Sequence, residues 1–315
     1  MSKLFKTLLF FSASSLAHAQ SASHYELTTG AIIAPELASI YTANPEGKVI
    51  AINAENGRIS WTSATIGRPI SVSKEQLVVI QQTQIDGKNE LVLLDLRTGA
   101  KARELPLPLG AANAVILPLS NQSFSTTTER QENGVRVYWE FEKHLLQGAA
   151  MVEDAVDSQA NQNSFGAFDI NFAREPISII EAPLASPADI PRLVPNVPVS
   201  SRIAGISGEQ FRSANRAHVQ TSQAQNDARF GTVFNWSIAK PSGEALGSVT
   251  LPYAYAPFSV FAADLLTLLP PYAVRLANGG VDIFAVRITR LNLQTGAEVW
   301  SVDVLDPVYR GLLPP

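Results

Sequence analysis

One short residue pattern recurs in this chain and constrains its fold more than any other feature. An Asn or Asp is followed four residues later by a Gly, and in two copies a Trp stands a further four residues on. The copies are Asn53, Gly57 and Trp61; Asp95 and Gly99; Asn292, Gly296 and Trp300; and a weaker turn at Gly243.

Each member of the pattern has a role in a tight hairpin. The Gly can adopt the positive φ that such a turn needs. The Asn or Asp side chain can hydrogen-bond the turn backbone that follows it. The Trp falls on the outgoing strand, where its ring can pack against a neighbouring sheet. The pattern therefore predicts hairpins stacked against other sheets.

The segments around these turns have the composition of β-strands, and helical periodicity is almost absent. Runs at 77–80 and 91–94 are apolar at every position. Both faces of such a strand must be covered, and a sheet between two like sheets meets that need. The predicted strands are 40–43, 48–53, 58–63, 77–82, 90–96, 288–293 and 297–302, with weaker ones at 135–142, 165–172, 177–181 and 231–238.

The spacing of the glycines indicates radial repetition. Gly57 and Gly99 are 42 residues apart, and Gly243 and Gly296 are 53 apart, close to the period of about 40–45 residues of four-stranded blades. We therefore predict an all-β chain, a β-propeller of four-stranded antiparallel blades, about seven in number. An ordinary β-sandwich is the alternative, but it would not require Asx, Gly and Trp at matching offsets.

The repeated pattern resembles the blade signature of pyrroloquinoline-quinone-like propellers, the family of quinoprotein alcohol dehydrogenases and BamB-like envelope proteins. Residues 37–107 and 284–303 carry the resemblance. It implies either a quinone enzyme or a binding scaffold without a cofactor. Many of the dehydrogenases are much longer, with a vicinal Cys pair and calcium, and this chain has no Cys. We therefore predict no cofactor.

Residues 1–19 have the features of a cleavable signal peptide. Lys3 and Lys6 precede an apolar run that ends near Leu16, and Ala17 and Ala19 suit a signal peptidase. The run is too short to span a bilayer, although an N-terminal anchor is the alternative. Residues 20–315 are then expected to form a single propeller domain, periplasmic or secreted, without disulfides or a lipid-modified Cys.

The charge of the chain argues against some partners. The formal net charge is −4, and removal of Lys3 and Lys6 would make it −6. An acidic chain disfavours nucleic acid or an anionic membrane as the main partner. No segment after the signal is long and apolar enough to be a transmembrane helix.

The sequence contains no recognisable catalytic, cofactor-binding or metal motif. His24, His144 and His218 are far apart and lack zinc-ligand spacing. The acidic cluster of Glu153, Asp154 and Asp157 is interpreted as a solvated loop, because calcium would need more oxygen ligands. We therefore predict no catalytic residue and no metal site.

Two middle regions allow more than one interpretation. Prolines at 183, 187, 191, 195 and 198 predict an extended strap between blades, which could also present a groove to a partner. Residues 201–229 contain several Arg and are interpreted as solvated loops and edges, with an anion-binding patch as the alternative.

Taken together, these features predict an exported, monomeric, non-catalytic propeller that acts as a protein-interaction scaffold in the cell envelope. Its partner is expected to be another envelope protein or a polymer. The alternatives are a quinoprotein-dehydrogenase-like enzyme and a glycan-binding propeller whose central funnel uses Tyr253, Tyr255 or Tyr272. The last strand, near Trp300, is expected to share a blade with residues that follow the signal.

Overall fold

The computed structural model describes residues 25–305 except 29, 74, 83–88, 113–121, 132, 144–163, 174–176, 192–208, 213–216, 225–226, 228–230, 241, 255 and 276–279. The signal-peptide prediction for residues 1–19 lies outside the described residues. Strands dominate the described chain, together with one four-residue helix and two 3-10 turns. The predicted all-β class is confirmed.

Five antiparallel sheets, which we call blades 1 to 5, follow one another along the described chain, and each keeps its four blade strands in sequence order. Blade 1 consists of β2 (Ala31–Ala34), β3 (Ser39–Ala43), β4 (Lys48–Asn53) and β5 (Ile59–Ile66), with β1 (Tyr25–Thr28) beside β2. Blade 2 consists of β6 (Arg68–Ser73), β7 (Gln76–Gln82), β8 (Asn89–Asp95) and β9 (Lys101–Leu105). Blade 3 consists of β10 (Gln122–Gln131), β11 (Gly134–Lys143), β12 (Ser164–Asn171) and β13 (Ser178–Ala182).

The last two blades contain the remaining strands. Blade 4 consists of β14 (Glu209–Arg212), β15 (His218–Gln223), β16 (Phe234–Ala239) and β17 (Ala245–Leu251). Blade 5 consists of β18 (Phe258–Phe261), β19 (Asp264–Leu269), β22 (Arg287–Asn292) and β23 (Glu298–Asp303). Between its second and third strands it carries a separate hairpin of β20 (Tyr272–Arg275) and β21 (Val281–Phe284).

The blades stack face to face in chain order. Buried apolar clusters join blade 4 to blade 5, blade 5 to blade 1, blade 1 to blade 2, and blade 2 to blade 3. In β8, Leu91 and Leu93 pack towards blade 3, whereas Val92 and Leu94 pack towards blade 1, because successive side chains point to opposite faces. Sequence-ordered meanders stacked with the last on the first form a β-propeller.

The five blades of the described residues are broadly consistent with the predicted number of about seven. Between Gly99 and Gly243 the described residues include the whole of blade 3 and three strands of blade 4.

Two local expectations were wrong. Residues 209–212 and 218–223, interpreted as solvated loops and edges, form β14 and β15, half of blade 4. The last described strand, β23, belongs to blade 5 and does not share a sheet with the first described strand, β1. The two ends instead meet face to face, and the Leu305 amide donates a hydrogen bond to the Ala43 carbonyl at 2.8 Å.

Candidate interaction surface

The turns that carry the sequence pattern have the same hydrogen bonds in blades 1, 2 and 5. In blade 1 the Asn53 side-chain oxygen accepts the amides of Glu55 at 2.9 Å and Asn56 at 3.1 Å. Asp95 and Asn292 accept the equivalent pairs of amides at 2.8–3.0 Å. The glycines that close these turns have φ angles of 72° at Gly57, 68° at Gly99 and 70° at Gly296.

The electrostatics of the Asp95 turn differ from those of the two Asn turns. The Thr98 hydroxyl donates to the Asp95 carboxylate at 2.8 Å, and the Thr98 and Arg97 amides donate as well. These bonds, led by that from the Thr98 hydroxyl, lower the pKa of Asp95 below its ordinary value. The turn therefore favours the charged carboxylate over the protonated acid.

Each of the two pattern tryptophans docks on the turn of the next blade. The Trp61 ring of blade 1 lies against Gly99 of blade 2, and Trp61 Nε1 donates to the Leu96 carbonyl at 2.9 Å. The Trp300 ring of blade 5 lies against Gly57 of blade 1, and its Nε1 donates to the Ala54 carbonyl at 3.2 Å. The junction between blades 5 and 1 therefore has the same ring contact and indole hydrogen bond as the junction between blades 1 and 2.

Blade 4 has no Trp at the position of the repeated pattern, and backbone contacts join it to blade 5 instead. Gly247 stands four residues after Gly243, at the Trp position, and a Cβ on it would collide with the Leu293 carbonyl. The Ser248 amide donates to that carbonyl at 3.1 Å. The Gln294 side chain donates to the Leu246 carbonyl at 2.7 Å. Blades 4 and 5 therefore approach more closely here than an indole would allow.

A nearly buried ion pair reinforces the junction of blades 5 and 1. Arg290 Nε donates to Asp264 at 2.7 Å, and the two side chains are only 12% and 10% exposed. Arg290 also donates to the Ala54 carbonyl at 2.9 Å and the Glu55 carbonyl at 3.1 Å. The sequence analysis missed this pair, because 26 residues separate its partners and no motif marks either one.

All of the long connections begin and end at one end of the stacked blades. In a four-stranded meander, the connection between strands two and three and the connection to the next blade lie at the same end. At this end lie the strand ends joined by residues 106–121, 144–163, 183–208, 224–233 and 270–286. We call this end the long-connection face. The opposite end has short connections, such as 132–133, 240–244 and 262–263.

The helix α1 (Leu109–Ala112) presents an apolar side chain on the long-connection face. Leu109 is 74% exposed, the highest value among the large exposed hydrophobic residues of the described chain, whereas Ala111 is fully buried. The Asn89 side chain of blade 2 donates to the Ala111 carbonyl at 3.0 Å. Gly110 packs against the ring of Trp139 in blade 3. Leu109 is thus displayed from a helix that is anchored on two blades.

A separate concave site lies on blade 4. The cavity has a volume of about 530 Å³. Its floor is formed by three strands, and the turn at Gly243 forms its rim. The lining residues are Val219, Gln220, Ser237, Ile238, Ala239, Lys240, Gly243, Ala245, Gly247 and Ser248.

The other candidate residues do not form a common site in the described chain. His218 lies on β15, whereas His24, His144 and the acidic cluster at 153–157 lie outside the described residues. Tyr253 and Tyr272 are half-buried and pack on the core between blades 4 and 5. Tyr255 lies outside the described residues. Within the described ranges, no group of three or more His, Cys, Asp or Glu is placed to bind a metal.

The described helices include none that could cross a bilayer, since none is both long and apolar enough.

Comparison with known proteins yields no family model and no curated protein that matches. Among solved structures, BamB from Moraxella catarrhalis has 11% identity and a TM-score of 0.29, covering 86% of this chain. This chain spans 62% of that BamB chain. The Cps50 (Swd1) β-propeller domain of Myceliophteria thermophila has 9% identity and a TM-score of 0.26, covering 90% of this chain and 89% of its own. U3-55K has 8% identity and a TM-score of 0.26, covering 86% of this chain and 90% of its own. The propeller fold of this chain stands on its own strand order and stacking.

Proposed function

We propose that this chain is an exported, non-catalytic propeller of the pyrroloquinoline-quinone-like repeat type that binds an envelope protein or polymer through its long-connection face. The observation that carries this proposal is the asymmetry between the two ends of the blades. Long connections are the part of a rigid scaffold that most often binds partners, and here they begin and end at one face.

The repeat assignment rests on the turn pattern of blades 1, 2 and 5. Asn53, Asp95 and Asn292 cap their turns in the same way, and Trp61 and Trp300 dock on the glycine of the next blade. Such repeated junctions give a rigid frame, and a rigid frame lowers the entropy lost when a partner binds to the segments it displays.

Export and domain organisation are parts of the same proposal. Residues 1–19 would be removed as a signal peptide, and residues 20–315 would act as a single domain and as a monomer in the periplasm or outside the cell. The N-terminal sequence of the purified mature protein tests this part, because cleavage should leave Gln20 as its first residue.

The binding face can be tested with two exposed leucines at opposite ends of the blades. A photo-crosslinking amino acid at Leu109 reports on the long-connection face. Leu37, 42% exposed in the 3-10 turn Pro35–Leu37 between β2 and β3, reports on the opposite end and serves as the matched control. In the native envelope, we expect a discrete cross-linked product from position 109 and none from position 37.

Charge substitution gives a second measurement on the same pair. Leu109→Asp should lower recovery of the cross-linked partner at least tenfold, because burying an unpaired carboxylate in an interface is costly. Leu37→Asp should leave recovery unchanged. Equal effects of the two substitutions, or cross-linking only from position 37, would show that the long-connection face is not the binding face.

A further inference from the structure

Blade 4 has two faces of opposite character. Trp236, Ile238 and Val249 point towards blade 5 and are buried in the shared core. Six described side chains that alternate with them point the other way, are exposed and carry amides or hydroxyls. These exposed residues are Gln220, Ser222, Asn235, Ser237, Ser248 and Thr250.

The strand register aligns these side chains in two cross-strand rows. Gln220 pairs with Ser237, and Ser237 pairs with Ser248. The next row has Ser222, Asn235 and Thr250, and the Thr250 hydroxyl donates to the Asn235 side-chain oxygen at 3.0 Å. The face is therefore a grid of amides and hydroxyls, each of which can both donate and accept hydrogen bonds.

The cavity of about 530 Å³ on blade 4 is lined by one of these two rows. Its size is within the range of about 300–1,000 Å³ that is usual for small-ligand sites. Gln220, Ser237 and Ser248 supply hydrogen-bonding groups. The small residues Ala239 and Ala245 also line the cavity, where larger side chains would take up its space.

The one charged residue among those that line the cavity is paired with a residue of opposite charge. Lys240 at the rim contacts both carboxylate oxygens of Glu244 at 2.9 Å. A site with no net charge and many groups that both donate and accept favours a ligand with the same properties. Carbohydrate hydroxyls both donate and accept and carry no charge, whereas an anion or cation would find no unbalanced charge in the lining.

We propose that the cavity on blade 4 binds a neutral oligosaccharide. Its hydroxyls would exchange hydrogen bonds with Gln220, Ser237 and Ser248. This site is separate from the long-connection face, so that a protein partner and a glycan could be bound together.

The proposal can be tested by calorimetry with chitotetraose and maltotetraose as neutral probes and tetragalacturonate as an anionic one. We expect a neutral probe to bind with a Kd in the millimolar range or tighter. Ser237→Leu, which places an apolar side chain on the cavity floor, should weaken that binding at least tenfold. Ser60→Leu, at an exposed serine of β5 outside the cavity, should not change it.

Gln220→Ala provides a milder variant in case Ser237→Leu disturbs folding, and the thermal midpoint of each variant shows whether the fold is intact. Gln220→Ala should weaken binding of the neutral probe several-fold, because it removes one hydrogen-bonding amide from the cavity. The proposal is overturned if neither neutral probe binds, if tetragalacturonate binds more tightly than both, or if Ser237→Leu and Gln220→Ala bind as the unmodified protein does.

Discussion

The indole ring of Trp300 covers Gly57 so closely that a Cβ on Gly57 would lie 2.7 Å from the Cγ atom of Trp300. These two residues are at opposite ends of the sequence, yet their contact repeats that of Trp61 with Gly99. Because the same contact joins blade 1 to blade 2 and blade 5 to blade 1, the turn glycines serve two purposes. Each closes its own hairpin and accepts the ring from the preceding blade.

Gly57→Ala should destabilise the protein more than Gly296→Ala. Both glycines have nearly the same positive φ, 72° and 70°, so the backbone strain is matched. Only Gly57 has a ring over it, whereas the space above Gly296 is open within 4 Å. The extra cost at Gly57 should be about 1–3 kcal/mol, as for other overpacked sites. The urea midpoints of the two variants provide the comparison, and equal midpoints would contradict the docking of Trp300.

Trp300→Ala should cost about 3–5 kcal/mol, because a nearly buried ring is lost from the junction of blades 5 and 1. The same substitution should remove the extra penalty of Gly57→Ala, since no ring remains for the new methyl group to meet. A double-mutant cycle on urea unfolding measures this coupling directly. Additive effects of the two substitutions would mean that the ring and the glycine do not interact.

Arg290→Met should cost about 3–5 kcal/mol, because it leaves the buried Asp264 carboxylate without its cationic partner. Lys240→Met removes one partner of an exposed pair with Glu244 and should cost less than about 1 kcal/mol. The double variant Arg290→Met/Asp264→Leu should be more stable than Arg290→Met. If Arg290→Met is no more harmful than Lys240→Met, Arg290 does not hold blades 5 and 1 together.

Asp95 should make stability depend on pH in the acid range. Its pKa in the folded protein is lowered, first by the Thr98 hydroxyl, so the carboxylate stabilises the fold above its unfolded pKa of about 4. That stabilisation is lost as the pH falls through the lower, folded pKa. Asp95→Asn should therefore be less sensitive to acid, because an amide accepts the same turn bonds without titrating.

The urea midpoint between neutral pH and about pH 3 measures this effect. Glu55→Gln, which removes a carboxylate from the corresponding turn of blade 1, is the matched control for the loss of one negative charge. A change in acid sensitivity as large in Glu55→Gln as in Asp95→Asn would assign the effect to net charge rather than to the Asp95 turn.

The sequence predicted the strands that lead into the pattern turns, β4, β8 and β22, because these turns have a local signature. It did not predict β2, β6, β9, β18 or β19 of the same blades. Residues 48–53 were predicted as a strand and form β4 with the same bounds. Blade 4 was harder, because only one of its faces is apolar. Val219 and Thr221 are buried while Gln220 and Ser222 are exposed, and this alternation with a period of two was the signal that could have identified β15.

The candidate sites were less predictable than the fold. The cavity on blade 4 combines side chains of β15, β16 and β17, which become neighbours only through strand pairing. Leu109 gave no sequence signal either, because an exposed leucine in a four-residue helix looks like any other apolar residue until its burial is known. Both features depend on tertiary placement rather than on local pattern.

The two ends of the described chain meet at the junction held by Trp300 and Arg290. Local opening begins where few apolar contacts must be broken. This junction combines a buried apolar cluster with a docked ring and an ion pair, so it should be among the last parts of the described chain to open. Partial unfolding should therefore leave the first and last described blades joined.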